Sequence, residues 1–113
     1  MKKIECYLQP HDLDDVIRAL SEAGVPGVSV TEIRGFGVQR GFARGEEPEP
    51  GGYVLRPKIK IELVVPDPDV ERFVEVIQAA RRGTRIGEGK LFVTPVEDAL
   101  RTRTGERGVA ALT

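Results

Sequence analysis

The chain has 113 residues, 40% hydrophobic and 31% charged, which suits a globular domain able to build its own core. Seventeen Lys and Arg against eighteen Asp and Glu leave a net charge of -1, which argues against a nucleic-acid-binding surface. One cysteine, one histidine and 5% aromatic residues exclude a disulfide framework, a His-rich metal cluster and a stacking array for single strands. No apolar run nears the ~20 residues of a membrane helix, and the start MKKIECYL lacks the apolar stretch of a signal peptide. A single cytoplasmic domain over 1–113 is expected, neither inserted in a membrane nor bound to nucleic acid.

Residues 2–9 alternate, with Ile4, Cys6 and Leu8 on one face and Lys3, Glu5 and Tyr7 on the other, which predicts a half-buried strand ended by Pro10. Leu13, Val16, Ile17, Leu20 and Ala23 then follow helical spacing, predicting a helix over 12–24 stopped by Gly24, with His11 a surface or capping residue at its edge. Gly27 to Ile33 is rich in β-branched residues and predicts a second strand. Residues 42–56 hold Glu46-Glu47-Pro48-Glu49-Pro50-Gly51-Gly52, which cannot build a core, so a long exposed loop is expected. Pro57 to Val65 alternates again, with Ile59, Ile61, Leu63 and Val65 facing in and Lys58, Lys60 and Glu62 facing out. Asp67-Pro68 supplies a helix cap and a proline at the first helical position. Val70, Phe73, Val74, Ile77 and Ala80 form that helix's apolar stripe, and Gly83 closes it. Residues 89–95 predict a fourth strand, followed by a turn at 96–100 and a polar tail at 101–113. The order β-α-β-β-α-β is the α+β, ferredoxin-like double split unit. Its helices cover one face of the sheet; the other would be bare in a monomer, an exposed apolar face calling for assembly.

Four local features could carry chemistry. Gly35-x-Gly37-x-x-x-Gly41 leaves a strand as a turn whose backbone N–H groups can approach an anion, although an ordinary hairpin exit explains it equally well. Gly87-Glu88-Gly89-Lys90 joins close backbone approach to a cation, or is a turn with a solvated lysine. Arg101 and Arg103, two apart in an extended tail, would point the same way and grip one polyphosphate, or are simply solvated. Gln39 and Lys58 stand at the two feet of the long loop and converge if those feet meet; an edge lysine that discourages aggregation is the bland account. All four features suit anions, and none supplies an acid, base or nucleophile. A ligand-binding module is favoured over an enzyme.

These residues resemble the PII signal-transduction family, the nitrogen regulatory proteins P-II. The resemblance is carried by Met1-Lys2-Lys3-Ile4, Leu13-Asp14-Asp15-Val16, Val30-Thr31-Glu32, Gly35-Phe36-Gly37, Gln39 with Gly41, and Pro57-Lys58-Ile59-Lys60-Ile61-Glu62. Val64-Val65-Pro66-Asp67, Ile86-Gly87-Glu88-Gly89-Lys90 and Arg101-Thr102-Arg103-Thr104-Gly105-Glu106 continue it in the same order. It implies a homotrimer with ATP or ADP in each cleft between subunits, and no enzymatic activity. Gly35, Gly37, Val38, Gly87, Glu88 and Gly89 would lie along the nucleotide, Lys90, Arg101 and Arg103 would meet its phosphates, and Ser29 and Val64 would hold adenine and ribose. Gln39 would help hold Mg²⁺ beside ATP and 2-oxoglutarate, with Lys58 and Gly41 completing the 2-oxoglutarate site. Residues 37–56 would form the T-loop, which docks on a target enzyme or transporter.

Departures from the family pattern refine these expectations. Val38 replaces an arginine and so removes a phosphate-facing cation, which is expected to weaken ATP more than ADP. Gln9 replaces Lys or Arg and removes a partner for 2-oxoglutarate. Gly51 stands where a modifiable tyrosine is usual, and that role is not transferred to Tyr53. Glu47 replaces an arginine that engages an ammonium channel, so a different target is expected. A relative sensing bicarbonate, another small anion or energy charge is the alternative. A slow ATPase, with Glu62 or Glu88 as base, is the enzymatic one.

Overall fold

The computed structural model describes residues 1–42, 46, 49–81 and 89–113. Strands β1 (Lys2–Leu8), β2 (Ser29–Gly35), β3 (Arg56–Val65) and β4 (Leu91–Pro95) form one sheet in the order β2-β3-β1-β4, antiparallel throughout. Helices α1 (Leu13–Glu22) and α2 (Val70–Ala80) pack on one face, completing the expected ferredoxin-like βαββαβ fold.

Strand alternation sets the core. Ile4, Cys6 and Leu8 from β1 and Ile59, Ile61, Leu63 and Val65 from β3 are buried against Val16 and Leu20 of α1 and Val70, Phe73 and Ile77 of α2. Period two or helical spacing places every one of these inward. Gly24, at φ +80, stops α1 as expected: its N–H reaches Ser21 O, and Val25 N–H reaches Leu20 O.

The boundaries shift where pairing or proline overrides local pattern. Pro10 does not simply end β1; it opens a 3₁₀ turn over Pro10–Asp12, and α1 then runs only to Glu22. Proline has no N–H to lose in a first turn. Pairing of β2 with β3 begins at Ser29↔Glu62 and runs to Gly35↔Arg56, so β2 is displaced from 27–33 toward the loop foot. Asp67 does not cap α2. Its carboxylate lies 2.9 Å from the Met1 ammonium, which pulls it below the usual carboxylate range, and Asp67–Asp69 forms a 3₁₀ turn before the helix. β4 starts at Leu91, although Lys90 O already accepts Tyr7 N–H at 2.9 Å. Gly83, the expected stop of α2, lies outside the described residues.

Two expectations fail more clearly. The open face of the sheet is not uniformly apolar: Lys60 Nζ lies 3.1 Å from Glu62 and 3.6 Å from Glu5, with Lys3 on the same face. Outward alternation puts these charges there, and Tyr7, Ile33, Val64 and the half-exposed Phe92 share the face by register, so it is mixed. The segment 101–113 is not a simple tail either. Leu100 bridges Arg107, Gly105 N–H returns to Arg101 O at 2.8 Å, and Gly108–Leu112 forms a 3₁₀ turn. Arg101 and Arg103 therefore stand on a turn, not on an extended segment.

Cys6 is 2% exposed, and burial pushes its thiol up from 9.0 to about 11. The unfolded chain releases this proton above pH 9.0 while the fold retains it, so the thiol's contribution to stability is complete below pH 9.0 and lost as pH rises through about 11. Denaturation midpoints should fall between those pH values, less steeply in Cys6→Ala, and the folded thiol should resist thiol reagents at pH 8. Rapid labelling of the native protein would contradict this.

Candidate functional site

Four strand ends converge at one edge of the sheet. Tyr7 lies one residue before the end of β1, Ile33 and Gly35 lie at the end of β2, Lys58 lies two residues into β3, and Gly89-Lys90 leads into β4. With Phe36, Gly37, Val38, Arg34 and Phe92 they line a cavity of about 480 Å³. Its floor is apolar and aromatic, with Tyr7 and Phe92 edge to face at 6.1 Å. Among the described lining residues the charged ones are Arg34, Lys58 and Lys90, all cationic. Apolar walls with a few convergent charges suit a ligand with a flat ring and an anionic tail.

Gly89 makes this closeness possible. Its φ is +131, and a Cβ there would lie 2.2 Å from Tyr7 O and 2.6 Å from an Arg81 guanidinium nitrogen. Arg81 in turn reaches the buried Asp12 at 3.4 Å, tying the end of α2 to the turn that follows β1.

A second hollow of about 190 Å³ lies between the loop feet, lined by Gln9, Gln39, Gly41, Phe42 and Arg56 together with Gly35, Phe36, Gly37 and Lys58. The last four also line the larger cavity, so the two share a wall. The expected meeting of Gln39 and Lys58 thus occurs. The feet are held by Val54 N–H to Arg40 O at 2.7 Å and by Arg56 Nε–H to Gly41 O at 2.7 Å. Arg40 adopts the left-handed φ of 58, lies 4.5 Å over the Phe36 ring and donates to Gly52 O at 3.2 Å. Tyr53 stacks on the same Phe36 at 5.3 Å. These contacts order the described part of a loop expected only to be exposed.

Gly35, Gly37, Val38, Gly89 and Lys90 gather at the larger cavity; Gln39, Gly41 and Lys58 line the smaller. Ser29, Val64, Arg101 and Arg103 do not join them. Ser29 pairs with Glu62 and Val64 with Lys3, four and six residues from Lys58 along β3, or roughly 13 and 20 Å at strand rise. Arg101 pairs with Glu106 at 3.4 Å and lines neither cavity. Gly87, Glu88 and Glu47 lie outside the described residues. The sequence motifs do not mark Tyr7, Arg34, Phe92 and Arg56 as site residues. Alternation did hold the signal for two of them, since Tyr7 faces outward on β1 and Arg56 shares a face with Lys58.

The family model for nitrogen regulatory protein P-II matches residues 1–106. The nitrogen regulatory protein P-II of Azospirillum brasilense is 50% identical over 117 aligned residues, covering 99% of this chain and all of that protein. That of Rhodospirillum rubrum is also 50% identical over 117, and that of Cereibacter sphaeroides 50% over 114, with the same coverage. The chain belongs to the nitrogen regulatory protein P-II family. None of its described helices is long and apolar enough to cross a membrane.

Proposed function

We propose that this chain is a regulatory protein, not an enzyme, which assembles as a homotrimer and binds ATP or ADP in clefts between subunits. One observation carries the reading. The glycine turn at Gly35–Val38 and the Gly89-Lys90 entrance, far apart in sequence, border one cavity with Lys58. Tyr7 and Phe92 offer the base a flat apolar surface, and Lys90 and Lys58 offer cations to the phosphates. Ser29 and Val64 lie far along β2 and β3 from this cavity, and a neighbouring subunit could bring a second copy of them to it, which fits the trimer. Mg²⁺ at Gln39 and 2-oxoglutarate at Gln39, Lys58 and Gly41 complete the proposed ligand set. The adjoining hollow and its shared wall support placing a small anion beside the nucleotide.

Regulation follows if ligands bind two states of the 37–56 loop unequally, since a ligand shifts an equilibrium only by its differential affinity. The loop feet form part of both cavities, so occupancy would change the surface offered to a target enzyme or transporter. Calorimetric titration with ATP and ADP, with and without Mg²⁺ and 2-oxoglutarate, tests the proposal. ATP binding strengthened by 2-oxoglutarate is expected, with ATP favoured over ADP by little because Val38 brings no charge; absence of nucleotide binding would overturn it.

Gly37→Ala adds a sharper check. Among the described residues, none beyond its chain neighbours lies within 4 Å of the added Cβ, so the folded subunit tolerates it. A nucleotide lying along the turn does not, and affinity should fall about tenfold, equivalent to about 1.4 kcal/mol, with the thermal midpoint unchanged. Unchanged affinity would remove the turn from the site.

A further inference from the structure

Asp12 is the one buried charged side chain among the described residues, 5% exposed, in the 3₁₀ turn between β1 and α1. Its Oδ2 lies 3.4 Å from Nη2 of the largely buried Arg81, and its Oδ1 lies 3.6 Å from the exposed His11. A buried ion pair adds little net stability, because desolvation consumes most of the attraction; what it fixes is the direction of the planar guanidinium fork. Here the fork meets Gly89. A Cβ on that glycine would lie 2.6 Å from Arg81 Nη1 and 3.2 Å from Cζ, so guanidinium and main chain touch with no side chain between them. Gly89 and Lys90 also separate two cavities. One is the 480 Å³ cavity of the candidate site; the other, of about 280 Å³, lies on the helix side of the sheet against Cys6, Ile77, Arg81 and Leu91. Arg81 lines the second and not the first, so it acts on this wall from behind.

We propose that Asp12 and Arg81 are positioning residues: the buried carboxylate aims the guanidinium, and the guanidinium holds Gly89-Lys90 against β1 so that this wall presents the Lys90 cation to the anionic end of the ligand. This rests on the nucleotide reading of the larger cavity. The wall has one backbone tie to β1, the 2.9 Å bond from Tyr7 N–H to Lys90 O. Lys90 lies beyond the last ladder pair, Cys6↔Leu91, and it follows a glycine, the residue whose backbone is least restrained. Apolar side chains of the same size would supply packing there, but not direction. A phosphate that meets Lys90 depends on where this wall stands. A base resting on Tyr7 and Phe92 does not, because both residues sit in paired strands. The ion pair therefore governs affinity for the phosphates and leaves the nucleoside alone.

The experiment replaces the pair in the full chain by apolar residues of similar volume, Asp12→Leu together with Arg81→Met, an exchange of a kind that is often neutral or stabilising. The thermal midpoint should stay at or above the parent's, while affinity for ADP falls about tenfold and affinity for adenosine stays within about twofold. Without ligand, the Tyr7 amide should exchange with solvent about tenfold faster, and the Ile61 amide in the core should not change. In a Lys90→Gln background the same double exchange should cost less than about twofold in ADP affinity, since the loss runs through Lys90. A purely structural role would weaken ADP and adenosine alike, which overturns the proposal; so does a loss of ADP affinity that persists in full without Lys90. Should the double variant not fold, Arg81→Lys keeps the charge opposite Asp12 and removes the fork: ADP about threefold weaker with adenosine unchanged is expected, and parental ADP affinity overturns the proposal. A parent that binds ADP, with a folded double variant that binds it equally well and exchanges Tyr7 equally slowly, overturns this inference and leaves the nucleotide reading standing. A parent that binds no ADP, with Tyr7 exchange still accelerated by the double exchange, overturns the nucleotide reading and leaves the wall held by Arg81.

Discussion

Gly89→Ala is expected to lower the thermal midpoint by roughly 10 °C and to abolish ligand binding at the larger cavity. Two penalties fall on the same methyl group. At φ +131 an L side chain strains the backbone, a cost on the order of 1–3 kcal/mol. The Cβ would also lie 2.2 Å from Tyr7 O, a backbone atom in the strand that pairs both neighbours and has nowhere to go. Relief requires the β4 entrance to move off β1, which breaks the 2.9 Å bond from Tyr7 N–H to Lys90 O, worth about 1 kcal/mol. Together these cost about 3 kcal/mol. The same movement carries Lys90 and Phe92 away from Lys58, so affinity and stability should fall together. A variant with the parental melting curve would mean that the tight approach of Gly89 to β1 is not a feature of the folded protein.

Much of this architecture was legible because period two and helical spacing report burial directly. Ile4, Cys6, Leu8 and the four inward residues of β3 needed only alternation, and the stripe from Val70 to Ile77 needed only helical periodicity. What escaped depends on partners distant in sequence. Ser29–Gly35 is a strand because β3 lies beside it, not because its own residues demand those ends. Asp67 has the local form of a cap, yet the charged Met1 terminus competes for its carboxylate and wins. The arginine pair at Arg101 and Arg103 reads as extended until the Leu100↔Arg107 bridge closes it into a turn. In the site, glycines and lysines stood out through composition, while Tyr7, Phe92 and Arg56 resembled ordinary strand residues. Their importance arises only when four strand ends meet at one edge, which is a property of topology.

Gly41→Ala should separate the loop from the fold. Its φ is +82, and an added Cβ would lie 1.6 Å from Val54 O and 2.6 Å from Val54 C. No flexible side chain can swing aside, so one foot of the loop must move. Two bonds cross that junction, Val54 N–H to Arg40 O and Arg56 Nε–H to Gly41 O, each 2.7 Å, and both are lost when the feet part. The core is untouched, because every buried apolar residue in it comes from β1, α1, β3 or α2. The thermal midpoint should therefore shift by no more than a few degrees, whereas protease cleavage within the loop should accelerate about tenfold, since the population of open loop sets the cleavage rate when opening is fast. Under the proposed function, binding of 2-oxoglutarate should be lost with the hollow that Gln39, Arg56 and Lys58 line. Nucleotide affinity should fall less, because Gly89, Lys90 and Phe92 stay anchored on β1 and β4. A loop as protected as the parent's would show that the crossing at Gly41 does not hold the feet together. A collapse in melting temperature would show instead that the loop junction and the core are one cooperative unit, leaving no independent element for a ligand to switch.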